Sequence, residues 1–223
     1  MTPKISAVVS DVDDTLVTDD KILTARTQAA VADLRANGIV FSIISSRPPR
    51  GLRMLVKFLG ITTPFGGFNG GVLATPERAI IAKHLLSPEI ARRAWGAEVW
   101  LFSGHDWLVG HSDEPYVALE ERTVGFPPTI VEDFGAALDT TAKIVGVSAD
   151  FELLARCERD AHASLIDQAS VVRSQPYYLD ITHPLVNKGV ALSEIANLLA
   201  VPLAEVAVIG DGGNDVAMFE RSS

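Results

Sequence analysis

Residues 5–10, ISAVVS, are a short apolar, β-branched run that stops abruptly at Asp11-Val12-Asp13-Asp14. Such a run reads as a buried strand, and its end in carboxylates puts charged side chains at the strand's carboxyl end. The segments that follow keep a strand–helix rhythm. Thr24–Asn37 has helical spacing in Ala30, Val31, Leu34 and the apolar side of Arg35, with Thr24 suited to the N-cap and Gly38 to the C′ position. Ile39–Ile44 reads as a second buried strand, Pro48 or Pro49 opens a helix reaching Leu59, and Phe65–Leu73 is a Gly-rich strand and turn. Strands and helices alternating through short connections argue for a parallel α/β sheet.

From about Ala79 to Thr182 the pattern changes. Strand-like runs fall at Glu98–Phe102, Trp107–Val109, Ala142–Val147, Ser170–Arg173 and Tyr177–Ile181, and helical runs at Pro88–Ala97 and Asp150–Ala163. After Pro184 the first rhythm returns, with a helix at Lys188–Ala200, a strand at Glu205–Ile209 and a helix from Gly212. The expected organisation is therefore a parallel-sheet domain, residues 1–80 and 184–223, interrupted by an α+β insert, residues 81–183. A chain of 223 residues with 48% hydrophobic and 21% charged residues has enough apolar material for two modest cores, which excludes wholesale disorder.

Charge and cysteine content narrow the function classes. With 19 basic and 28 acidic residues the net charge is −9, so no general attraction for nucleic acid or an anionic membrane is expected. The single cysteine, Cys157, permits no intrachain disulfide and no thiolate metal cluster; within ELLARCERD it reads as an inert helix thiol. The N-terminus lacks the long apolar core of a signal peptide. The most apolar region, Leu192–Ile209, is broken by Glu194, Asn197 and Glu205, short of the roughly 20 residues of a membrane span. A soluble, cytoplasmic protein is expected.

Four segments carry chemistry, and each lies just past an apolar strand or at a helix start. Ligands of open parallel sheets bind at the carboxyl ends of the strands, so the segments should converge. In Asp11-Val12-Asp13-Asp14-Thr15 the carboxylates can share one site if a divalent cation neutralises them; alone, the segment also fits a solvated acidic turn. Ser45-Ser46-Arg47 offers hydroxyls and backbone N–H groups ahead of a helix, suited to an anion or to plain turn chemistry. Lys188, in Asn187-Lys188-Gly189, opposes the dipole at a helix N-terminus, which makes a compensating anion plausible, although an exposed surface lysine is the commoner reason. Gly210-Asp211-Gly212-Gly213-Asn214-Asp215 combines a tight loop with carboxylates four apart, a metal-site candidate that also fits an Asp/Gly turn with an N-cap.

Together the segments resemble the motifs of the haloacid dehalogenase superfamily of phosphohydrolases. DxDxT is matched by Asp11, Asp13 and Thr15, the hydroxyl motif by Ser45, the lysine by Lys188, and GDxxND by Gly210–Asp215. Asn69-Gly70 and the position of the insert resemble the Cof-type branch with a C2B cap. Asp14 stands where that branch often has Gly, and Ser46 where the second motif often has Gly. The resemblance implies a Rossmann-like parallel-sheet α/β core with an inserted α+β cap, and hydrolysis of small phosphorylated metabolites, sugar phosphates above all. It implies Asp11 as nucleophile and Asp13 as acid/base. Ser45, Ser46, Lys188 and Asn214 are implied as phosphate ligands. Mg²⁺ would be held by Asp11, Asp211 and the backbone carbonyl of Asp13, with Asp215 holding its waters. Cap contacts to the leaving group would come from His105, Trp107, His111, Tyr177 and Tyr178. A phosphomutase of the same fold and a catalytically impaired phosphate- or metal-binding protein are the alternatives. The family usually continues beyond GDxxND with a further strand and helix, whereas this chain stops at Ser223. On that reading the strand at 205–209 is an open edge, and self-association through it is expected.

Overall fold

The computed structural model describes residues 4–77, 79–93 and 99–222. In chain order the regular elements are β1 (Ala7–Ser10), α1 (Ala25–Ala36), β2 (Val40–Ile43), α2 (Pro49–Phe58), β3 (Phe65–Gly67), β4 (Val72–Ala74) and β5 (Ile80–Lys83). There follow α3 (Pro88–Arg93), β6 (Val99–Ser103), β7 (Asp106–Val109), α4 (Val117–Val124), β8 (Thr129–Ile130), β9 (Thr141–Val147), α5 (Phe151–Ser164), β10 (Ser170–Gln175) and β11 (Tyr178–Thr182). The last elements are α6 (Lys188–Leu198), β12 (Val206–Ile209) and α7 (Val216–Phe219). The chain divides into two units, Met1–Ala82 with Asn187–Ser223, and Lys83–Val186.

The first unit is an α/β fold on a parallel sheet. β1 is its centre, with Ala7 opposite Val206 of β12 on one side and Val40 of β2 on the other. A parallel bridge from Ile44 to Gly66 attaches β3, which turns back antiparallel into β4. Every residue of β1 is buried because both faces of the sheet are covered, as parallel sheets require. The side chains alternate accordingly. Val8, Phe41 and Ile43 pack with Val31 of α1 and Leu52, Leu55 and Val56 of α2. Ala7 and Val9 pack with Ala191, Leu192 and Ile195 of α6 and Met218 of α7.

Local signals place the helix ends. Thr24 accepts a hydrogen bond from the Thr27 N–H at 3.1 Å and starts α1, and Pro49 occupies the first turn of α2. The stripe expected on α1 is narrower than its spacing implied. Val31 is buried and Leu34 packs partly against the core, but Ala30 is exposed, and Arg35 extends its guanidinium to the Gly60 carbonyl at 2.8 Å.

The second unit carries a six-stranded sheet in the order β10-β11-β9-β6-β7-β8, antiparallel except where β8 runs parallel to β7. Leu101, Ile144, Leu179 and Ile181 pack with Ile90 of α3 and Leu154 of α5, with half-buried Cys157 against the same cluster. Successive side chains along a strand take opposite faces, so Trp100, Phe102, Lys143, Tyr178 and Asp180 lie on the other side of the sheet. There Lys143 and Asp180 form a buried ion pair at 2.8 Å. α4 has no counterpart among the expected elements, its eight residues being too short a window for a helical period. The helix expected at 88–97 is α3 through Arg93, and residues 94–98 lie outside the described ones. No helix among the described residues is long and apolar enough to cross a membrane.

Candidate active site

The carboxyl end of β1 opens the site. Asp11 is buried, and its N–H donates to the Ile209 carbonyl at 2.8 Å, so the strand ladder itself fixes the residue. Lys188, 1% exposed at the start of α6, donates to Asp11 Oδ1 at 2.5 Å and to Asp215 Oδ1 at 2.6 Å. The anion that compensates a lysine at this helix start is thus a pair of carboxylates. Asp215 is fully buried, and its second oxygen accepts the N–H groups of Asp211 at 3.0 Å and Gly212 at 2.9 Å. Gly210 permits that loop to close, since a Cβ there would lie 2.4 Å from the Asp215 carboxyl carbon. Thr15 donates to Asp211 Oδ1 at 2.8 Å, joining the first acidic loop to the last.

Asp13 points to different partners. Arg47 Nε donates to its Oδ2 at 2.9 Å and Arg47 Nη2 to its Oδ1 at 2.6 Å, a bidentate pair, and Lys21 Nζ lies 3.0 Å from Oδ1. Asp14, beside it, has φ 62°, the left-handed region that glycine favours and aspartate tolerates. Ser45 is buried; its hydroxyl accepts the Arg47 N–H at 3.1 Å and its carbonyl accepts the Asn69 N–H at 2.7 Å. Ser46 is half-buried beside it. Asn214 is exposed and donates to Asn69 Oδ1 at 3.2 Å.

Electrostatics separate the first two acids. Burial pushes the Asp11 carboxyl above the usual range, and the Lys188 charge offsets only part of that. Burial acts the same way on Asp13, but there the hydrogen bonds and charges of Arg47 and Lys21 outweigh it and hold the carboxyl below the usual range.

Asp11, Asp211 and Asp215 each present an oxygen within 4.8 Å of the others. Carboxylate oxygens are the donors Mg²⁺ prefers, and Lys188, the one cation paired with these three acids among the described residues, leaves them under-neutralised. The cluster therefore fits a divalent cation. The Asp13 side chain belongs to the Arg47 pair rather than to this cluster, so any share it took would be through its backbone.

All four sequence segments contribute residues here. Arg47, Lys21, Thr15 and Asn69 take part in the contacts without having been assigned a role beforehand. Thr15, Arg47 and Asn69 had a signal, each lying inside or beside a recognised motif; Lys21 had none. Among the suggested leaving-group contacts, His105 and His111 are exposed, Trp107 and Tyr178 are buried, and Tyr177 stacks on Tyr116 at 4.2 Å.

The model of the haloacid dehalogenase-like hydrolases matches residues 8–223. The chain belongs to that family. It is 25% identical over 215 residues to the HMP-PP phosphatase of Cronobacter sakazakii, covering 94% of this hydrolase and 78% of the relative. It is 24% identical over 236 residues to the 5-amino-6-(5-phospho-D-ribitylamino)uracil phosphatase YitU of Bacillus subtilis, covering 99% and 85%. Among solved structures, a haloacid dehalogenase-like hydrolase from Bacteroides thetaiotaomicron superposes with a TM-score of 0.87 at 25% identity, over 98% of this hydrolase and 86% of that chain.

Proposed function

We propose that this hydrolase is a cytoplasmic, Mg²⁺-dependent phosphatase of small phosphorylated metabolites, sugar phosphates foremost, acting through an aspartyl-phosphate on Asp11. The observation that carries the reading is the convergence of Asp11, Lys188, Asp211 and Asp215, drawn from three distant parts of the chain. The phosphatase names of the two relatives support the reaction class, and the phosphorylated ribityl chain in one name supports a polyol or sugar ester.

In this mechanism an Asp11 carboxylate oxygen attacks phosphorus, and the bond from phosphorus to the ester oxygen breaks as the new one forms. Asp13, held ionised in the free enzyme by Arg47 and Lys21, takes a proton from the phosphate monoester monoanion as it binds and gives it to the departing oxygen. It then takes a proton from the water that attacks the aspartyl-phosphate, releasing inorganic phosphate and restoring Asp11. Lys188, Ser45, Ser46 and Asn214 hold the phosphoryl oxygens, where charge is spread during transfer. Asp11, Asp211 and the Asp13 carbonyl would hold Mg²⁺, with Asp215 holding its waters, and the ion would supply positive charge that offsets the repulsion between Asp11 and the phosphate. The insert, residues 81–183, is read in the same proposal as the part that selects the leaving group.

The test is turnover of a panel of phosphorylated metabolites with and without Mg²⁺, for the parent chain and Asp11→Asn. Turnover that needs Mg²⁺ and is lost in a folded Asp11→Asn variant is the expected result. Near-normal activity in that variant, or full activity in excess chelator, would overturn the assignment.

A further inference from the structure

The segment after the first acidic loop is an ordered hairpin. Val17 bridges antiparallel to Leu23, the Thr18 N–H donates to the Ile22 carbonyl at 3.1 Å, and the Lys21 N–H donates to the Thr18 carbonyl at 2.7 Å. Lys21 sits in its turn with φ 61°. From there its ammonium reaches Asp13 Oδ1 at 3.0 Å and Asp14 Oδ1 at 3.3 Å.

The two oxygens of Asp13 are consequently not equivalent. Arg47 binds both, as a planar fork does. Lys21 adds a second cation whose nearest approach is to Oδ1, at 3.0 Å, whereas the hydrogen bond to Oδ2 comes from Arg47 Nε at 2.9 Å. A fork by itself still lets the carboxylate slide or exchange its oxygens; a further contact on one oxygen, from an independent element, removes that freedom.

We propose that Lys21 is a positioning residue for Asp13, holding Oδ1 so that Oδ2 is the oxygen that serves the leaving group. The inference rests on the phosphatase reading, in which Asp13 protonates the departing oxygen. It goes beyond that reading by giving the hairpin at 17–23 a part in the reaction. Lys21 touches neither substrate nor phosphorus in this role; it acts through the geometry of Asp13, where misplacement by about 1 Å is enough to cost up to 100-fold in rate.

Two esters separate a positioning role from a structural one. In a mechanism with a covalent intermediate, kcat/KM covers the steps only as far as departure of the leaving group. Glycerol 2-phosphate releases an alkoxide that needs a proton from Asp13, whereas p-nitrophenyl phosphate releases a stable phenolate that does not. Lys21→Met should lower kcat/KM for glycerol 2-phosphate by about 10-fold or more, part of the roughly 100- to 10,000-fold that a general acid supplies, and change that for p-nitrophenyl phosphate by less than about threefold. Lys21→Arg, which keeps the charge, should restore most of the loss and shows that the hairpin tolerates substitution. Equal losses on both esters, or an unchanged ratio, would overturn the role of Lys21 while the phosphatase reading stands. A parent enzyme that turns over neither ester would overturn both.

Discussion

At the scale of single residues, Lys188 holds the site together electrostatically. Its ammonium lies between two buried carboxylates, those of Asp11 and Asp215, and is itself buried. Removing one partner from such a group leaves charge in a medium that solvates it poorly, which is more costly than never having placed the charges there. Lys188→Met should therefore lower stability by about 3–5 kcal/mol in a metal-free urea titration. It should also abolish turnover, since Asp11 is already pushed toward its protonated form by burial and would lose the charge that opposes this. A loss below about 1 kcal/mol, the range of exposed pairs, would mean that water reaches the two acids once the lysine is gone. Asp13 is the contrasting case, because Arg47 and Lys21 hold it charged without a share in the metal cluster.

At the scale of elements, the placement of α6 decides whether Lys188 arrives at all. Asn187 caps that helix by accepting the Val190 N–H at 2.9 Å, and the turn before β4 packs against its first residues. Gly70 in that turn has φ 96°, and a Cβ there would lie 2.3 Å from the Ala191 Cβ. Both the backbone conformation and the space exclude a side chain. Gly70→Ala should cost about 2–5 kcal/mol, the sum of a left-handed backbone penalty and overpacking. It should also lower kcat by displacing the start of α6; the urea midpoint and the turnover number check the two effects separately. A neutral substitution would show that the turn can retreat from the helix. β12, at the end of the strand order, matters for the same reason as α6: it delivers the loop at 210–215 to Asp11 through the Asp11–Ile209 hydrogen bond.

At the scale of the whole molecule, each unit has its own apolar core, so its two halves can be followed by different probes. Trp100 and Trp107 belong to the unit Lys83–Val186, and the third tryptophan, at 95, falls between the same bounds in sequence, whereas the acids of the proposed metal site belong to the other unit. A ligand that binds only the native state stabilises it by roughly 2.7 kcal/mol at 100 times its Kd. Saturating Mg²⁺ should therefore raise the melting midpoint seen by far-ultraviolet circular dichroism more than the midpoint seen by tryptophan fluorescence. Coincident shifts of equal size would mean that the units unfold as one cooperative body. No shift in either signal would remove the metal from the site.

How much of this was legible in the sequence follows from the range of the interactions involved. Strand and helix periodicity, the cap at Thr24, the helix start at Pro49, and the acids at strand ends depend on near neighbours along the chain and could be read directly. Parallel topology then required Asp11, Ser45 and Asp211 to share one edge of a sheet, because strand carboxyl ends in such sheets face the same way. What spacing could not disclose is which charge pairs with which. Arg47 grips Asp13 across 34 positions, and Lys188 reaches Asp11 across 177. Thr15 meets Asp211 across 196 positions. Lys21 looks in sequence like any solvated lysine among acids, and only the hairpin brings its ammonium to Asp13 Oδ1. The amino-acid sequence by itself determined the elements and the chemical types gathered at the sheet edge. The tertiary structure alone decided the pairings and the burial that sets their strength, since Coulomb and desolvation energies depend on distance and environment in space rather than on separation along the chain.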